Sequence, residues 1–282
     1  MRTVLITGAS MGLGEATTKA LAGRGWRVFA TMRNLDKRTP LERWSQESGL
    51  RERVEFEQLD VTDAQSIRNA VAATLARSGN RLDAVVHNAG IAVGGAFEEL
   101  PAADTRHVME TNFFGVLNLT RECLPVFRAQ RQGRIVIVSS FMGLSGQPAN
   151  SIYCASKFAL EGWAESLAYE LEPFGIHVIV VEPALYRTHI WGGSPRVNPE
   201  NSPYRDWVQR VFDAVDNQLA KAFRDPQEVG KAIARALDAR QPHFRYPIDP
   251  VSRLTHFSRG KLPTRLIRRA NAWYLGLSRR IG

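Results

Sequence analysis

The strongest constraint on this chain is a regular alternation that runs from its start to about residue 182. Short runs rich in β-branched residues recur at 3–7, 27–32, 53–59, 82–86, 134–139 and 177–182, and helix-period segments separate them. Parallel neighbours need crossovers of a dozen or more residues, so this rhythm predicts strand-helix-strand units feeding one parallel sheet. A further run at 243–248, flanked by prolines, suits a seventh strand at a sheet edge. The expected architecture is α/β: a doubly wound parallel sheet of about seven strands with helices on both faces.

After Pro183 the rhythm breaks into a loop rich in Gly, Pro, Asn and Ser. Tyr204, Trp207, Val208, Val211, Phe212 and Val215 then recur at helical spacing. Asp225-Pro226-Gln227-Glu228 combines a capping Asp, a first-turn Pro and a Glu three residues after the cap, which predicts a helix running to about Ala239. The sequence has no internal repeat and no low-complexity tract.

Composition narrows the class. The 282 residues are 44% hydrophobic and 23% charged, ordinary for a globular chain, and no stretch approaches the roughly 18 uninterrupted apolar residues of a membrane span. The start reads as a first strand and not as a secretory signal. Cys123 and Cys154 are the two cysteines, in segments that read as helix, and no metal-ligand spacing surrounds them. A reducing, cytoplasmic setting and no metal are expected.

The net charge of +9 is unevenly placed. From residue 251 to 282 there are eight basic residues and no Asp or Glu, so the body before them is close to neutral. Within this tail Leu266, Ala270, Trp273, Leu277 and Ile281 form one apolar stripe; Arg265, Arg268 and Arg279 project away from it, and Arg269 and Arg280 flank it. Such a helix fits three partners: an anionic membrane, its own domain or a partner subunit. Nucleic acid is not expected, because no recognised binding module accompanies the charge.

Thr7-Gly8-Ala9-Ser10-Met11-Gly12-Leu13-Gly14 joins the first strand to the first helix, with glycines spaced GxxxGxG. Gly8 permits a tight turn, Gly12 lets backbone approach a pyrophosphate, Gly14 allows close packing, and the helix N-terminus offers N–H groups to an anion. A dinucleotide site of the Rossmann fold is expected here. The second strand ends Ala30-Thr31-Met32-Arg33-Asn34 without an acid, and the guanidinium of Arg33 suits a ribose 2′-phosphate, which favours NADP(H).

Ser139-Ser140 closes the run at 134–139, and Tyr153 opens a helix with Lys157 four residues on, one above the other on one face. A free phenol, with a pKa of about 10, is ionised in only roughly one molecule in a thousand near neutrality. A neighbouring ammonium is expected to lower that pKa by about 1 to 3 units and so match the phenol to proton exchange with an alkoxide.

With these motifs assembled, the chain resembles the short-chain dehydrogenase/reductase family, in its compact single-domain branch, to about residue 250. The resemblance rests on the TGxxxGxG loop, Asp60-Val61, Asn88-Ala89-Gly90, Asn112, Ser140, and Tyr153 with Lys157; Ser140 precedes Tyr153 by 13 residues, the family's spacing. It implies an oxidoreductase that moves a hydride between NADP(H) and a ketone or secondary alcohol. Ser140 would hold the substrate oxygen and Tyr153 would act as general acid/base. Lys157 would bind the nicotinamide ribose and lower the Tyr pKa, and Asn112 would anchor a water. Ser10, Met11 and Leu13 would line the phosphate loop with its glycines, Asp60 and Val61 would contact adenine, and Asn88, Ala89 and Gly90 would line the cleft. Pro183 and Thr188 would border the nicotinamide. For Asp60 and Asn112 a local backbone hydrogen bond is an equal alternative.

Three positions depart from the family pattern. His87 stands for the first Asn of NNAG, Ala184 for the Gly after Pro183, and Met11 brings no charge to the loop. Residues 1–250 are expected to form one catalytic domain, 184–221 a substrate lid and 251–282 a basic amphipathic tail. Tyr186 and Trp191 in the lid favour a bulky apolar substrate, whereas Trp207 and Phe212 fit packing on the body equally well. The family also implies a dimer or tetramer. A catalytically silent NADP(H) sensor of the same fold is the competing reading.

Overall fold

The computed structural model describes residues 1–188, 190, 193–221 and 224–274. Its strands in chain order are β1 (Thr3–Ile6), β2 (Arg27–Met32), β3 (Val54–Gln58), β4 (Ala84–His87), β5 (Gly94–Gly95), β6 (Gly133–Val138), β7 (Ile176–Glu182), β8 (Arg196–Val197) and β9 (Arg245–Pro247). Seven of them form one sheet in the order β3-β2-β1-β4-β6-β7-β9, with every pairing parallel. The seven runs anticipated from sequence all appear, 27–32 with the same bounds and the other six differing by one or two residues at one or both ends. The small parallel pair β5–β8 was not anticipated.

The helices are α1 (Gly12–Gly23), α2 (Thr39–Glu47), α3 (Ala64–Ser78), α4 (Ala102–Met109), α5 (Gly115–Gln130), α6 (Ser151–Leu171), α7 (Arg205–Lys221), α8 (Gln227–Asp238), α9 (Pro250–Ser258) and α10 (Thr264–Tyr274). They cover both faces of the sheet, which is why the central strands are apolar at successive positions. Val4 and Ile6 of β1 pack with Leu21 of α1 and with Ile233 and Leu237 of α8. Leu5, pointing the other way by the period of two, packs with Ile67 of α3, Leu119 and Phe127 of α5 and Leu160 of α6. Helix α8 starts one residue later than expected: Pro226, not Asp225, is its N-cap, and Asp225 precedes it with its Oδ1 accepting from Gln227 N at 2.9 Å.

Strand order runs outward from β1 in one direction and from β4 in the other. The loops leaving these neighbours therefore diverge and open a crevice at the carboxyl edge of the sheet. The helix anticipated around Trp207 is α7. It buries Val208, Val211 and Phe212 against Ala96 and Ala149, with Tyr204, Trp207 and Val215 at the margin, so this face packs on the body.

As far as Tyr274 the tail consists of the two helices α9 and α10. Asn271 of α10 donates from Nδ2 to Ser145 Oγ at 3.0 Å and to the Gly146 carbonyl at 3.3 Å, and Ala272 is buried beside it. The stripe residues Leu266, Ala270 and Trp273 are exposed, so this part of the stripe does not pack on its own domain. Leu277, Arg279, Arg280 and Ile281 lie outside the described residues. No helix among the described residues is long and apolar enough to cross a membrane.

Candidate active site

A cleft of about 850 Å³ occupies the crevice between the loops after β1 and β4. That volume lies within the roughly 300–1,000 Å³ typical of ligand pockets. Its floor is the glycine loop. Gly8 and Gly12 adopt φ of +65° and +60°, a region L side chains rarely visit, and α1 begins after Met11 with no side chain capping its N-terminus. A Cβ on Gly14 would collide with the Gly8 carbonyl, so this position is held to glycine by close packing. Ser10, Met11 and Leu13 line the cleft, and Thr188 faces it across the loop, its Cγ2 3.3 Å from where a Gly12 Cβ would stand.

At the far end Arg33 lines the cleft together with Asn34 and Lys37. Lys37 escaped the sequence reading although it lies four residues after Arg33; the turn that returns it to the cleft is a 3-10 segment capped by Asn34, whose Oδ1 accepts from Asp36 N. Asp36 is not among the lining residues. Asp60 and Val61 form the adjacent wall, but the Asp60 carboxylate is already engaged. Its Oδ1 accepts from Thr62 N at 2.9 Å and from Thr62 Oγ1 at 2.7 Å, which is the local alternative anticipated for it.

Asn88, Ala89 and Gly90 border the cleft from the β4 side. The Asn88 amide braces the glycine loop, donating from Nδ2 to the carbonyls of Thr7 at 2.9 Å and Gly8 at 3.0 Å. His87, one residue earlier, is buried, with Nε2 2.8 Å from Thr120 Oγ1. Burial lowers its pKa to about 3, so the ring stays neutral and belongs to the strand end.

The chemical groups stand behind the cleft wall: Ser140, Tyr153 and Lys157 are not themselves among the lining residues. Ser140 caps a 3-10 turn at the end of β6, and Tyr153 and Lys157 stand on the first turns of α6, all three buried. Tyr153 packs with Ala92 and Ile190, two cleft-lining residues, and a Gly90 Cβ would sit 3.8 Å from Lys157 Nζ. The phenol is hydrogen-bonded to the Ser140 side chain. Lys157 Nζ donates to the Val138 carbonyl at 2.9 Å and lies 5.7 Å from the centre of the Tyr153 ring.

This arrangement corrects the expectation that the lysine lowers the phenol pKa. Burial of the phenol dominates and raises its pKa above the ordinary value, with only the Ser140 hydrogen bond pulling it down. Lys157 is itself lowered to about 8 by burial, opposed by the nearby charge of Glu161. Near pH 7 the site therefore holds a neutral phenol beside a mostly protonated ammonium, a state suited to giving a proton to a carbonyl oxygen.

Asn112 sits in a π-helical turn, Glu110–Phe114, and is fully buried. Its Oδ1 accepts from Ile91 N at 2.8 Å, while Nδ2 donates to the Ile91 carbonyl at 2.8 Å and to Ser156 Oγ at 3.0 Å. Ser156 Oγ in turn donates to the Tyr153 carbonyl at 2.7 Å. The side chain thus latches the loop after β4 to the helix that carries Tyr153.

Other expected positions fall elsewhere. Pro183 is not a lining residue; its carbonyl accepts from Phe141 N at 3.1 Å and steadies the turn after Ser140. Tyr186 does not form a substrate wall. It is 1% exposed within the main core and its hydroxyl is 3.4 Å from Glu228 Oε2, because an isolated bridge to Arg224 turns this segment inward. Trp191 lies outside the described residues. The segment 184–221 reaches the cleft instead through Thr188, Ile190, Gly193, Ser194 and Pro195.

Behind Lys157 lies a buried ion cluster that sequence reading missed. Arg245 of β9 bonds Glu161, Glu182 Oε1 at 2.9 Å and Glu165 Oε2 at 3.0 Å, and His256 Nδ1 of α9 is 3.5 Å from Glu182 Oε2. The signal was present in part, since Glu161 follows Lys157 by four on one helical face.

Comparison with known proteins agrees with this geometry. The short chain dehydrogenase family model matches residues 2–196. An uncharacterized oxidoreductase of Bacillus subtilis, YusZ, is 37% identical over 264 residues, covering 92% of this chain and 93% of its own. The 3-ketodihydrosphingosine reductase of Bacteroides thetaiotaomicron is 34% identical over 250 residues, covering 88% of each. A solved short-chain dehydrogenase from Streptomyces avermitilis superposes with a TM-score of 0.80 at 32% identity, covering 99% of this chain and 98% of that one. The chain belongs to the short chain dehydrogenase family of oxidoreductases.

Proposed function

We propose that this oxidoreductase transfers a hydride between NADP(H) and a ketone or secondary alcohol, and that its substrate is bulky and apolar. The observation that carries the reading is the buried group of Ser140 and Tyr153, with Lys157 one helical turn on, directly behind the cleft-lining residues Gly90, Ala92 and Ile190. The cleft fits a dinucleotide: its glycines lie in conformations that bring backbone close, and the helix N-terminus above them is uncapped. Gly8, Ser10, Met11, Gly12 and Leu13 would hold the pyrophosphate, and Arg33 with Lys37 a 2′-phosphate. Asp60 and Val61 would flank the adenine, Asn88, Ala89 and Gly90 the central cleft, and Thr188 the carboxamide. When bound, the nicotinamide supplies or accepts the hydride.

The remaining chemistry belongs to the chain. Ser140 orients the substrate oxygen and Tyr153, neutral at working pH, gives that oxygen its proton. Lys157 binds the ribose and places a positive charge near the phenolate that forms, while Asn112 keeps α6 and the cleft wall in register. Ala92, Phe141, Met142 and Ile190 surround Tyr153 with apolar groups, which favours bulky apolar carbonyl compounds. In this reading residues 1–250 are one catalytic domain with 184–221 as its substrate lid.

NADPH oxidation with a panel of bulky ketones, repeated with NADH, tests the proposal. Turnover with NADPH preferred is expected, and Tyr153→Phe should abolish turnover while NADPH still binds. Unchanged turnover in that variant would refute the role of Tyr153.

A further inference from the structure

The C-terminal segment presents a surface that the oxidoreductase chemistry does not use. Leu254, Phe257 and Trp273 are 69%, 67% and 75% exposed, and Val251, Leu262 and Leu266 are exposed beside them in sequence. Isolated exposed apolar residues are normal, but six within 23 residues, five on two consecutive helices and Leu262 in the turn between them, are a concentration that calls for a partner. Basic groups are interleaved with them: Arg253, Arg259, Lys261, Arg265, Arg268 and Arg269 are all exposed, and no acid occurs from residue 251 to 282. Lys261 Nζ lies 3.8 Å from the centre of the Phe257 ring, so cation and apolar group share one patch.

We propose that α9 and α10 dock this protein on an anionic lipid surface. Two candidate occupants fail on charge and polarity. A second copy related by a two-fold axis would bring two acid-free basic patches face to face, a like-charge contact. A nucleic acid would neutralise the arginines but leave the exposed Leu, Phe and Trp side chains without an apolar environment. A bilayer interface of anionic headgroups over acyl chains takes both components at once, with the apolar side chains below the basic ones. The Asn271 hydrogen bonds to Ser145 and Gly146 hold α10 to the body while Leu266, Ala270 and Trp273 face outward. The chain between Ser140 and Tyr153 therefore lies next to the proposed contact. This inference is independent of the proposed catalytic reading.

Co-sedimentation of the full chain with vesicles tests it, read without cofactor or substrate. Vesicles of phosphatidylcholine and phosphatidylglycerol should bind the protein at least about tenfold better than phosphatidylcholine alone, and high salt should weaken that binding severalfold. Arg265→Glu with Arg268→Glu, and separately Leu254→Asp with Phe257→Asp, should each lower binding about tenfold while circular dichroism and the urea-unfolding midpoint stay at parental levels. Equal binding to neutral and anionic vesicles, no binding to either, or parental binding by both variants would overturn the proposal. A change of sedimentation coefficient in these variants without any vesicle binding by the parent would assign the patch to a second copy, and would also overturn it.

Discussion

Tyr153 and Lys157 illustrate how burial can outweigh a neighbouring charge. The four-residue spacing suggests an ammonium that acidifies a phenol, yet each group is buried and desolvation moves both toward neutrality: the phenol up, the ammonium down to about 8. Glu161, one turn further along α6, opposes the shift at Lys157 by stabilising its charge. Replacing Glu161 by Gln removes that support and should lower the Lys157 pKa further. The basic limb of the pH profile of kcat/KM, which reports the free enzyme, is then expected to move to lower pH. A limb that stays in place would separate Lys157 from Glu161.

Strand β9 meets α6 and β7 through Arg245, and α9 reaches Glu182 of β7 through His256, which makes this C-terminal junction part of the support for α6. Removing one partner of a buried ion pair leaves an uncompensated charge and costs about 3–5 kcal/mol. Arg245→Met, which strands Glu161 and Glu182, should therefore lower the midpoint of urea unfolding clearly, and an unchanged midpoint would show the pair to be dispensable. The pH dependence has a definite sign. Burial and Glu161 raise the Glu182 pKa from 4.5 to about 7, with Arg245 opposing. Between those values the folded chain binds more protons than the unfolded one, so this carboxyl's contribution to stability falls as pH rises from 4.5 through about 7. Glu161, Arg245, Arg259 and His256 also act on this carboxyl. Denaturant unfolding of Glu182→Gln across this range should be flatter with pH than that of the parent. An equally steep profile would place the titration elsewhere.

Across the molecule, charge is divided between a nearly neutral body and a basic tail, so a phosphorylated cofactor meets no broad attractive field over the cleft. On the proposed reading, selection for a 2′-phosphate would then be local, at Arg33 and Lys37. Changing both to Ala should raise the KM for NADPH at least about tenfold, the size of a lost charge-assisted contact of roughly 1.5–3 kcal/mol, and leave the KM for NADH near its parental value. A parallel rise for both cofactors would remove the two residues from the 2′-phosphate site.

The alternation of strands and helices, the edge strand at β9, the existence of helix α8 and the glycine loop were legible from residue order, because periodicity, turn chemistry and backbone permissiveness act over a few neighbours. The Tyr153–Lys157 pair was legible for the same reason, being one helical turn. What residue order could not convey depends on groups distant in the chain. Lys37 joins Arg33 through a short turn, Tyr186 is drawn into the core by Arg224, and Glu161 meets Arg245 across 84 positions. The state of the phenol belongs to the same class. Spacing placed a cation near it, but desolvation by the surrounding fold set the direction of its pKa, and desolvation exists only once the chain has packed.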